Sequence, residues 1–281
     1  MKISIASGKG GTGKTTVAVN LALSIKPCQI LDCDVEEPNV HIFLNPDIKK
    51  TKPVKVLVPL VDDEKCTRCG HCAEVCEFNA LAVVPQEVIF FEQLCMSCAA
   101  CWELCPENAI TTREKEIGEV RVGQKNDLEI IDGSLNIGQA RAIPVIQAVK
   151  DHINSNNISI LDSPPGASCP VIETIEDTDF CILVTEPTPF GLWDLKIMVE
   201  VVKLLKIPFG IIINREGLGE DDSVEKFCEE NDLPIILRIP FDRKIAEAYS
   251  RGVPIIELYP KWQEKFQSLY DYIKGEVNLN D

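Results

Sequence analysis

A glycine-rich loop near the start of the chain constrains its fold more than any other feature. Residues 8–15 read GKGGTGKT and fit the pattern G-x-x-x-x-G-K-[ST]. The loop follows an apolar stretch, Lys2–Ala6, that is typical of a buried strand, and it runs into a helical pattern over Lys14–Ser24. A strand, a glycine loop and a helix in this order predict an α/β fold whose loop surrounds phosphate groups with backbone N–H groups. A purely structural glycine turn is the alternative, and the flanking elements favour phosphate binding.

The same loop supplies side chains suited to a nucleotide and its metal ion. We expect Lys14 to neutralise the β- and γ-phosphates and Thr15 to hold Mg²⁺, so the predicted ligands are ATP and Mg²⁺. The residues predicted to bind the cofactor here are Gly8, Gly10, Gly11, Thr12, Gly13, Lys14, Thr15 and Thr16.

Short apolar runs alternate with helical patterns along most of the chain, which predicts a mostly parallel sheet with helices on both faces. The predicted strands are Lys2–Ala6, Gln29–Asp32, Ile158–Asp162, Phe180–Thr185, Phe209–Asn214 and Ile235–Ile239. The predicted helices are Lys14–Ser24, Ile137–His152, Leu192–Lys206, Ser223–Asn231, Arg243–Arg251 and Lys261–Lys274.

This alternation stops in a cysteine-rich stretch that contains eight of the 13 cysteines. The segment CTRCGHCAEVCEFNAL, beginning at Cys66, is echoed 29 residues later by CMSCAACWELCPENAI. We interpret the two copies as a pseudo-symmetric pair of metal sites in a small α+β insert. The predicted domains are therefore residues 1–58 and 113–281, which form the nucleotide-binding unit, and residues 59–112, which form the insert.

Each copy has the spacing C-x₂-C-x₂-C-x₃-C, which resembles the cluster-binding motif of bacterial ferredoxins. In that fold three close cysteines hold one cluster and the fourth ligand comes from the other motif. The resemblance implies two [4Fe–4S] clusters, the first held by Cys66, Cys69, Cys72 and Cys105, and the second by Cys95, Cys98, Cys101 and Cys76.

Structural zinc is the competing interpretation, since paired C-x₂-C groups also make tetrahedral Cys₄ sites. The third cysteine at the same short spacing, present in both copies, is unnecessary for zinc and favours clusters. Glu77 stands where ferredoxins commonly have proline, and its charge would lower the potential of a nearby cluster.

The five remaining cysteines are predicted to be mainly packed thiols. Cys33 and Cys181 lie in or beside apolar strands and fit small buried hydrophobes. Cys169 follows the segment PPGAS and is also weighed as a ligand for a cluster shared between subunits, with an ordinary thiol favoured.

Lys9 gives the glycine loop the form K-G-G-x-G-K-T, which resembles the deviant Walker family that includes the nitrogenase iron protein, MinD, ParA and Mrp-type iron-sulfur carriers. In that family this lysine reaches the partner's phosphates in a nucleotide-bound homodimer. The chain as a whole resembles MinD-superfamily ATPases with an inserted ferredoxin domain. The resemblance covers about residues 1–55 and 115–260 outside the insert.

Further site residues follow from this resemblance. Asp34, at the end of QILDCD, matches the residue that orients the attacking water, with Asp32 beside it. In ISILDSPPG, Asp162 would contact Mg²⁺ through water and Gly166 would approach the γ-phosphate. The adenine pocket would be formed by Asn214 and the loop at Pro240–Asp242. The residues predicted to act in hydrolysis are Lys9, Lys14, Asp34 and Asp162.

Charge and hydropathy exclude several classes of partner. The formal charge of −16, with basic residues spread along the chain, argues against nucleic acid. The opening MKISIASGKG runs directly into a strand, and no apolar run is long enough to cross a bilayer, so we expect a cytoplasmic protein without membrane insertion. The helix predicted at Lys261–Lys274 has one apolar face but lacks a basic excess, which favours packing on the sheet over lipid binding.

Three functions remain open on the sequence alone. The first is ATP-gated electron transfer to an unknown redox partner. The second is assembly or delivery of iron-sulfur clusters to an acceptor protein. The third is a MinD-like positioning or partner-binding switch in which clusters only stabilise the insert.

Overall fold

The computed structural model describes residues 1–219 and 221–280. Glu220 and Asp281, both inside the predicted segment 113–281, lie outside the described residues. The strands are β1 (Lys2–Ala6), β2 (Cys28–Asp32), β3 (Asp47–Val61), β4 (Leu81–Val83), β5 (Val88–Phe90), β6 (Ile110–Lys125), β7 (Leu128–Leu135), β8 (Ser159–Asp162), β9 (Phe180–Thr185), β10 (Phe209–Glu216) and β11 (Ile235–Pro240).

The helices range in length from a single turn to the 20 residues of the C-terminal helix. They are α1 (Lys14–Ser24), α2 (Val40–Leu44), α3 (His71–Glu74), α4 (Ala100–Glu103), α5 (Ala142–Lys150), α6 (Cys169–Ile175), α7 (Pro189–Leu204), α8 (Ser223–Glu230), α9 (Arg243–Tyr249), α10 (Ile255–Leu258) and α11 (Lys261–Asn280).

One nine-stranded sheet, with the order β11-β10-β9-β1-β8-β2-β7-β6-β3, organises the nucleotide-binding unit. The strands from β11 to β7 run parallel, and β6 is antiparallel to both of its neighbours. Separate apolar cores lie on the sheet, one built on α1 and α11 and another on α6, α7 and α8. The predicted α/β fold with a mostly parallel sheet is confirmed. The carboxyl ends of the parallel strands meet at one edge, where ligands bind in such sheets.

The long hairpin of β3 and β6 was not predicted. β6 pairs with β7 only from Gly118 onwards, whereas its first seven residues, 110–116, pair with β3 alone. From Gly118 back to Ile110 there are eight steps of about 3.3 Å, so this two-stranded arm extends roughly 26 Å beyond the end of β7. Because β3 is antiparallel to β6 and therefore parallel to β7, the arm projects from the carboxyl edge of the sheet. The predicted insert boundaries, 58/59 and 112/113, fall inside its two strands.

Residues 62–109 connect the two strands at the tip of this arm and contain all eight motif cysteines. They form the short antiparallel pair β4-β5 with the single-turn helices α3 and α4. We call residues 62–109 the cysteine module. It packs on the arm through Val58, Ala80 and Cys95, which are buried together.

The largest differences between predicted and observed helix ends occur in α5 and α11. The helix predicted over Ile137–His152 begins only at Ala142, because residues 136–141 form a loop in which Gly138 has a φ of +81°. The helix predicted over Lys261–Lys274 continues to Asn280. Trp262 and Phe266 of α11 are buried in the core on α1, so this helix packs on the body of the protein as expected. Within the described residues, no helix combines the length and hydropathy needed to span a membrane.

Candidate functional site

The glycine loop and the end of β8 meet at the carboxyl edge of the sheet. The Thr15 hydroxyl donates a hydrogen bond of 2.5 Å to Oδ2 of Asp162. Oδ1 of Asp162 is buried and has no hydrogen-bond partner among the described residues. A hydroxyl and a carboxylate with a free oxygen are the hard oxygen ligands that Mg²⁺ prefers. These atoms therefore fit the predicted metal ion.

The carboxyl groups of Asp32, Asp34 and Asp162 lie near the ammonium group of Lys14 at this edge of the sheet. Burial raises the pKa of Asp162 to about 7 and that of Asp34 to about 6, although Lys14 lowers both. Burial lowers the pKa of Lys14, while Asp162 and Asp34 oppose this shift. Burial therefore disfavours the charged forms of these side chains. A cation bound among the carboxyl groups and a phosphate bound at Lys14 would stabilise the charged forms.

Asp32 has a different position from its neighbour Asp34. Its carboxylate accepts hydrogen bonds from the backbone N–H groups of Asp34, Asn39 and Val40 at 3.1, 2.8 and 3.0 Å. Asp32 is completely buried and holds the loop that carries Asp34. Asp32 therefore fixes the loop, whereas Asp34 lies in the pocket.

The adjoining cavity has a volume of about 350 Å³ and opens over the glycine loop. Asn214 and Pro240, both predicted for the base pocket, line it, and the Asn214 side chain donates a 2.7 Å hydrogen bond to the Thr12 carbonyl. Phe241 and Asp242 of the predicted loop line the cavity as well. The sequence analysis missed several other residues that line it, namely Glu37, Asn39, Pro165, Arg215, Ile245, Ala246 and Tyr249. Apolar and aromatic side chains at one end and phosphate ligands at the other suit an adenine nucleotide. Gly166, also predicted for the site, lies in the loop after β8, and its backbone N–H donates a hydrogen bond to the Ser7 carbonyl.

Gly13 is a position where no other residue fits the loop. Its φ is +97°, and a Cβ there would collide with the Asn214 side chain. Gly8 is restricted by a different contact, since a Cβ would lie 2.5 Å from Cβ of Asp194 in α7. Gly13 is therefore required for left-handed backbone and close packing, and Gly8 for close packing alone.

Lys9 forms an ion pair with Glu186 within the same chain. Its Nζ is 3.2 Å from Oε2 of Glu186, a residue at the end of β9 that is 5 % exposed. Arg215 pairs with the other carboxylate oxygen and also donates a 3.1 Å hydrogen bond to the Gly11 carbonyl. Glu186 and Arg215 were missed, because only the tertiary fold brings β9 and β10 next to the glycine loop.

The eight motif cysteines separate into the two predicted sets. Cys66, Cys69, Cys72 and Cys105 line one cavity of the module. Cys76, Cys95, Cys98 and Cys101 line the other. In each set the fourth cysteine comes from the other motif, so the spatial grouping follows the crossed pattern.

The electrostatics of the thiols give the same grouping. Burial raises the pKa of Cys101 to about 11, and the thiols of Cys95, Cys98 and Cys76 act in the same direction. Burial likewise raises the pKa of Cys72, with the other three thiols of its set contributing.

Backbone N–H groups already point at three of the cysteine sulfurs. Cys76, Cys95 and Cys105 accept from Ala80, Ser97 and Ala109 at 3.3, 3.4 and 3.3 Å. In residues 1–219 and 221–280, the structure shows no group of three or more His, Cys, Asp or Glu side chains arranged to hold a metal ion. Four thiols around one cavity, with backbone N–H groups donating to some of the sulfurs, are the type of ligand set that an iron-sulfur cluster takes.

The other cysteines lie outside both sets. Cys28, Cys33, Cys181 and Cys228 are buried, and burial raises their pKa values. Cys169 is exposed at the first residue of α6. The expectation of packed thiols therefore holds for the four buried residues, and the structure shows no ligand partner for Cys169 within the described residues.

The glycine loop, its carboxylate partners and the adjoining cavity together define a P-loop nucleotide-binding site at the edge of a parallel sheet. The family model for the CobQ/CobB/MinD/ParA nucleotide binding domain matches residues 3–255. The chain belongs to this family of P-loop ATPases.

Particular relatives extend this comparison. An uncharacterized protein of Methanocaldococcus jannaschii is 31% identical over 99% of this chain and 97% of its own length. An iron-sulfur cluster carrier protein of the same organism is 26% identical over 98% of this chain and 84% of its own length. The Mg-ADP complex of the septum site-determining protein MinD from Pyrococcus horikoshii shares the fold, with a TM-score of 0.60, 20% identity and coverage of 100% and 98%.

Proposed function

We propose that this ATPase uses ATP binding and hydrolysis to gate electron transfer through an iron-sulfur module. The observation that carries the proposal is the position of two complete Cys₄ sets on an arm projecting from the nucleotide edge of the sheet. The β3–β6 hairpin connects the nucleotide-binding sheet to both cysteine sets within one chain.

The nucleotide roles follow from the geometry of the loop. Lys14 would neutralise the β- and γ-phosphates, and Thr15 with Asp162 would hold Mg²⁺. Asp34, which lies in the cavity beside Lys14, would orient the attacking water. The Gly166 N–H would turn from the Ser7 carbonyl to the γ-phosphate when nucleotide is present.

Lys9 is the residue that would link two copies of the chain. To reach the phosphates of a second copy it has to leave Glu186, so the ion pair described above belongs to the open, monomeric state. When nucleotide closes the homodimer, Lys9 would leave the Glu186 carboxylate and bind phosphate oxygens of the nucleotide in the partner subunit. Hydrolysis would remove the γ-phosphate and return Lys9 to Glu186.

The two cysteine sets are the proposed ligands of two [4Fe–4S] clusters. When bound, such clusters supply storage and transfer of single electrons. The protein contributes the thiolates, the N–H groups of Ala80, Ser97 and Ala109, and an apolar enclosure. Cys69 and Cys98 are the exposed members of their sets, so each site has one edge open to a redox partner.

Cluster delivery is the second candidate, and the names of several relatives favour it. Iron-sulfur cluster carrier proteins of Methanocaldococcus, Methanococcus and Pyrococcus species match this chain at 24–26% identity. Against it, each set here is a full four-ligand shell within one chain, which favours retention of a cluster over its release.

A stopped-flow experiment separates the two functions. The protein is reconstituted anaerobically with iron and sulfide, reduced with dithionite, freed of reductant, and mixed with benzyl viologen or with cytochrome c. Electron-transfer rates that depend on MgATP in the wild type, but not in Lys14→Ala, support gating. Equal rates with and without MgATP refute it. In parallel, ⁵⁵Fe-labelled protein is mixed with apo-ferredoxin, and rapid ATP-dependent transfer of ⁵⁵Fe would establish delivery instead.

A further inference from the structure

The two cysteine sites differ in their connection to the ATPase body. Arg141, at the start of α5, reaches into the second motif and donates a 3.1 Å hydrogen bond from Nη1 to the Ser97 hydroxyl. Its Nη2 donates to the Gln139 side chain at 2.7 Å. The Ser97 backbone N–H in turn donates to the sulfur of Cys95. A guanidinium that is only 4 % exposed therefore supports the loop that carries two cysteines of the second set.

The first motif offers an internal comparison. Arg68 occupies the position between Cys66 and Cys69 that Ser97 occupies between Cys95 and Cys98. Both residues have a φ of +57°, so each loop has a left-handed residue at this position. Arg68 is exposed, and in the described part of the chain its side chain makes no hydrogen bond or ion pair. Among the described residues, the first loop thus has no counterpart of the hydrogen bond between Arg141 and Ser97 in the second loop.

The elements on either side of Arg141 contact both loops of the nucleotide site. The segment before it, residues 136–141, continues from β7, and the Leu135 N–H donates to the carbonyl of Val35, the residue after Asp34. At the far end of α5, Lys150 donates to carbonyl groups of Glu173 in α6 and of Glu176 just after it. Because α6 follows the loop of Asp162 and Gly166, hydrogen bonds connect each nucleotide loop to an element that adjoins Arg141.

We propose that Arg141 is a positioning residue that couples the nucleotide loops to the second cysteine site and not to the first. The inference rests on the proposed function, in that it assumes a cluster in each site. A nearby positive charge stabilises the reduced, more negative form of a cluster and so raises its reduction potential. Displacement of Arg141 by the nucleotide loops changes that potential, whereas the first site has no such link.

The test is an anaerobic EPR redox titration of the loaded protein with and without MgAMPPNP. Cys69→Ser and Cys98→Ser assign the two signals, since each alters one ligand of one set. We expect the potential of the second site to change with nucleotide and that of the first to stay constant. Arg141→Met should lower the potential of the second site and remove its nucleotide response, and Arg141→Lys should restore part of the potential.

Arg68→Met is the matched control, because it removes an arginine at the corresponding loop without touching the proposed tie. It should leave the second site and its nucleotide response unchanged. Equal nucleotide responses at both sites, or a full response in Arg141→Met, would overturn the role of Arg141 while leaving the proposed function intact. A loaded iron content far below two clusters per chain, or no nucleotide response at either site, would overturn the proposed function together with this inference.

Hydrogen–deuterium exchange gives a second readout in the wild type, which does not depend on a variant folding. Peptides that cover residues 95–99 should change their exchange rate on addition of MgAMPPNP, and peptides that cover residues 66–70 should not. Identical behaviour of the two segments would contradict the coupling.

Discussion

Replacement of Glu186 by Gln is expected to strengthen nucleotide-dependent dimerisation. Glu186 holds Lys9 at 3.2 Å, and the Lys9 side chain is 31% exposed, so solvent screens the pair only in part. Pairs of this kind are worth about 1 kcal/mol. Removing the carboxylate charge frees Lys9 in the monomer, and 1.4 kcal/mol corresponds to a tenfold change in equilibrium constant. Dimer formation releases Lys9 from Glu186 in both copies, so the two contributions add to about 2 kcal/mol and the dimer Kd in MgAMPPNP should fall about thirtyfold.

Sedimentation velocity over a range of protein concentrations measures this Kd directly. Glu216→Gln is the matched control, because Glu216 also pairs with an arginine, Arg238, but has no contact with Lys9. It should leave the Kd unchanged. A Glu186→Gln protein that dimerises more weakly than the wild type would show that Glu186 supports the closed state and would refute the reasoning.

Three further outcomes follow from the structure. Gly13→Ala forces a side chain into left-handed backbone, which costs about 1–2 kcal/mol, and should lower both the melting temperature and ATP affinity in a fluorescence assay. Mg²⁺ affinity, measured by calorimetry, should rise between about pH 6 and pH 8, because Asp162, whose pKa burial raises to about 7, must lose its proton to bind the ion; a pH-independent affinity would contradict this. Phe266→Ala should reduce the free energy of unfolding in urea by about 3–5 kcal/mol, since Phe266 is fully buried, whereas Tyr272→Ala at an exposed position of α11 should change it little.

Local patterns were sufficient to predict the parallel half of the sheet. The strands Lys2–Ala6 and Phe180–Thr185 and the helix Lys14–Ser24 have the predicted ends, because continuous apolar runs and a glycine loop determine them locally. The long strands Asp47–Val61 and Ile110–Lys125 were missed. Their exposed halves are rich in Lys, Glu and Arg, which protect an edge strand from pairing with other chains but hide its apolar alternation.

The site divides in the same way. The cysteine grouping could be predicted because the ligand spacing resembles that of bacterial ferredoxins, and this resemblance implies the crossed arrangement. Glu186 and Arg215 could not, because each is an ordinary charged residue until β9 and β10 place it beside Lys9 and Gly11. Arg141 was hidden for a related reason. The predicted helix over Ile137–His152 covered the loop that allows its side chain to reach Ser97.

The nucleotide dependence of the reduced EPR spectrum tests the central claim most directly. The protein is loaded anaerobically, its iron and zinc are quantified, and dithionite-reduced samples of the wild type and Lys14→Ala are recorded with and without MgATP. The proposal predicts about two [4Fe–4S] clusters per chain and a spectrum that changes with MgATP in the wild type alone. Stoichiometric zinc without iron, or a cluster spectrum indifferent to MgATP in the wild type, would contradict the coupling of the ATPase to an iron-sulfur module.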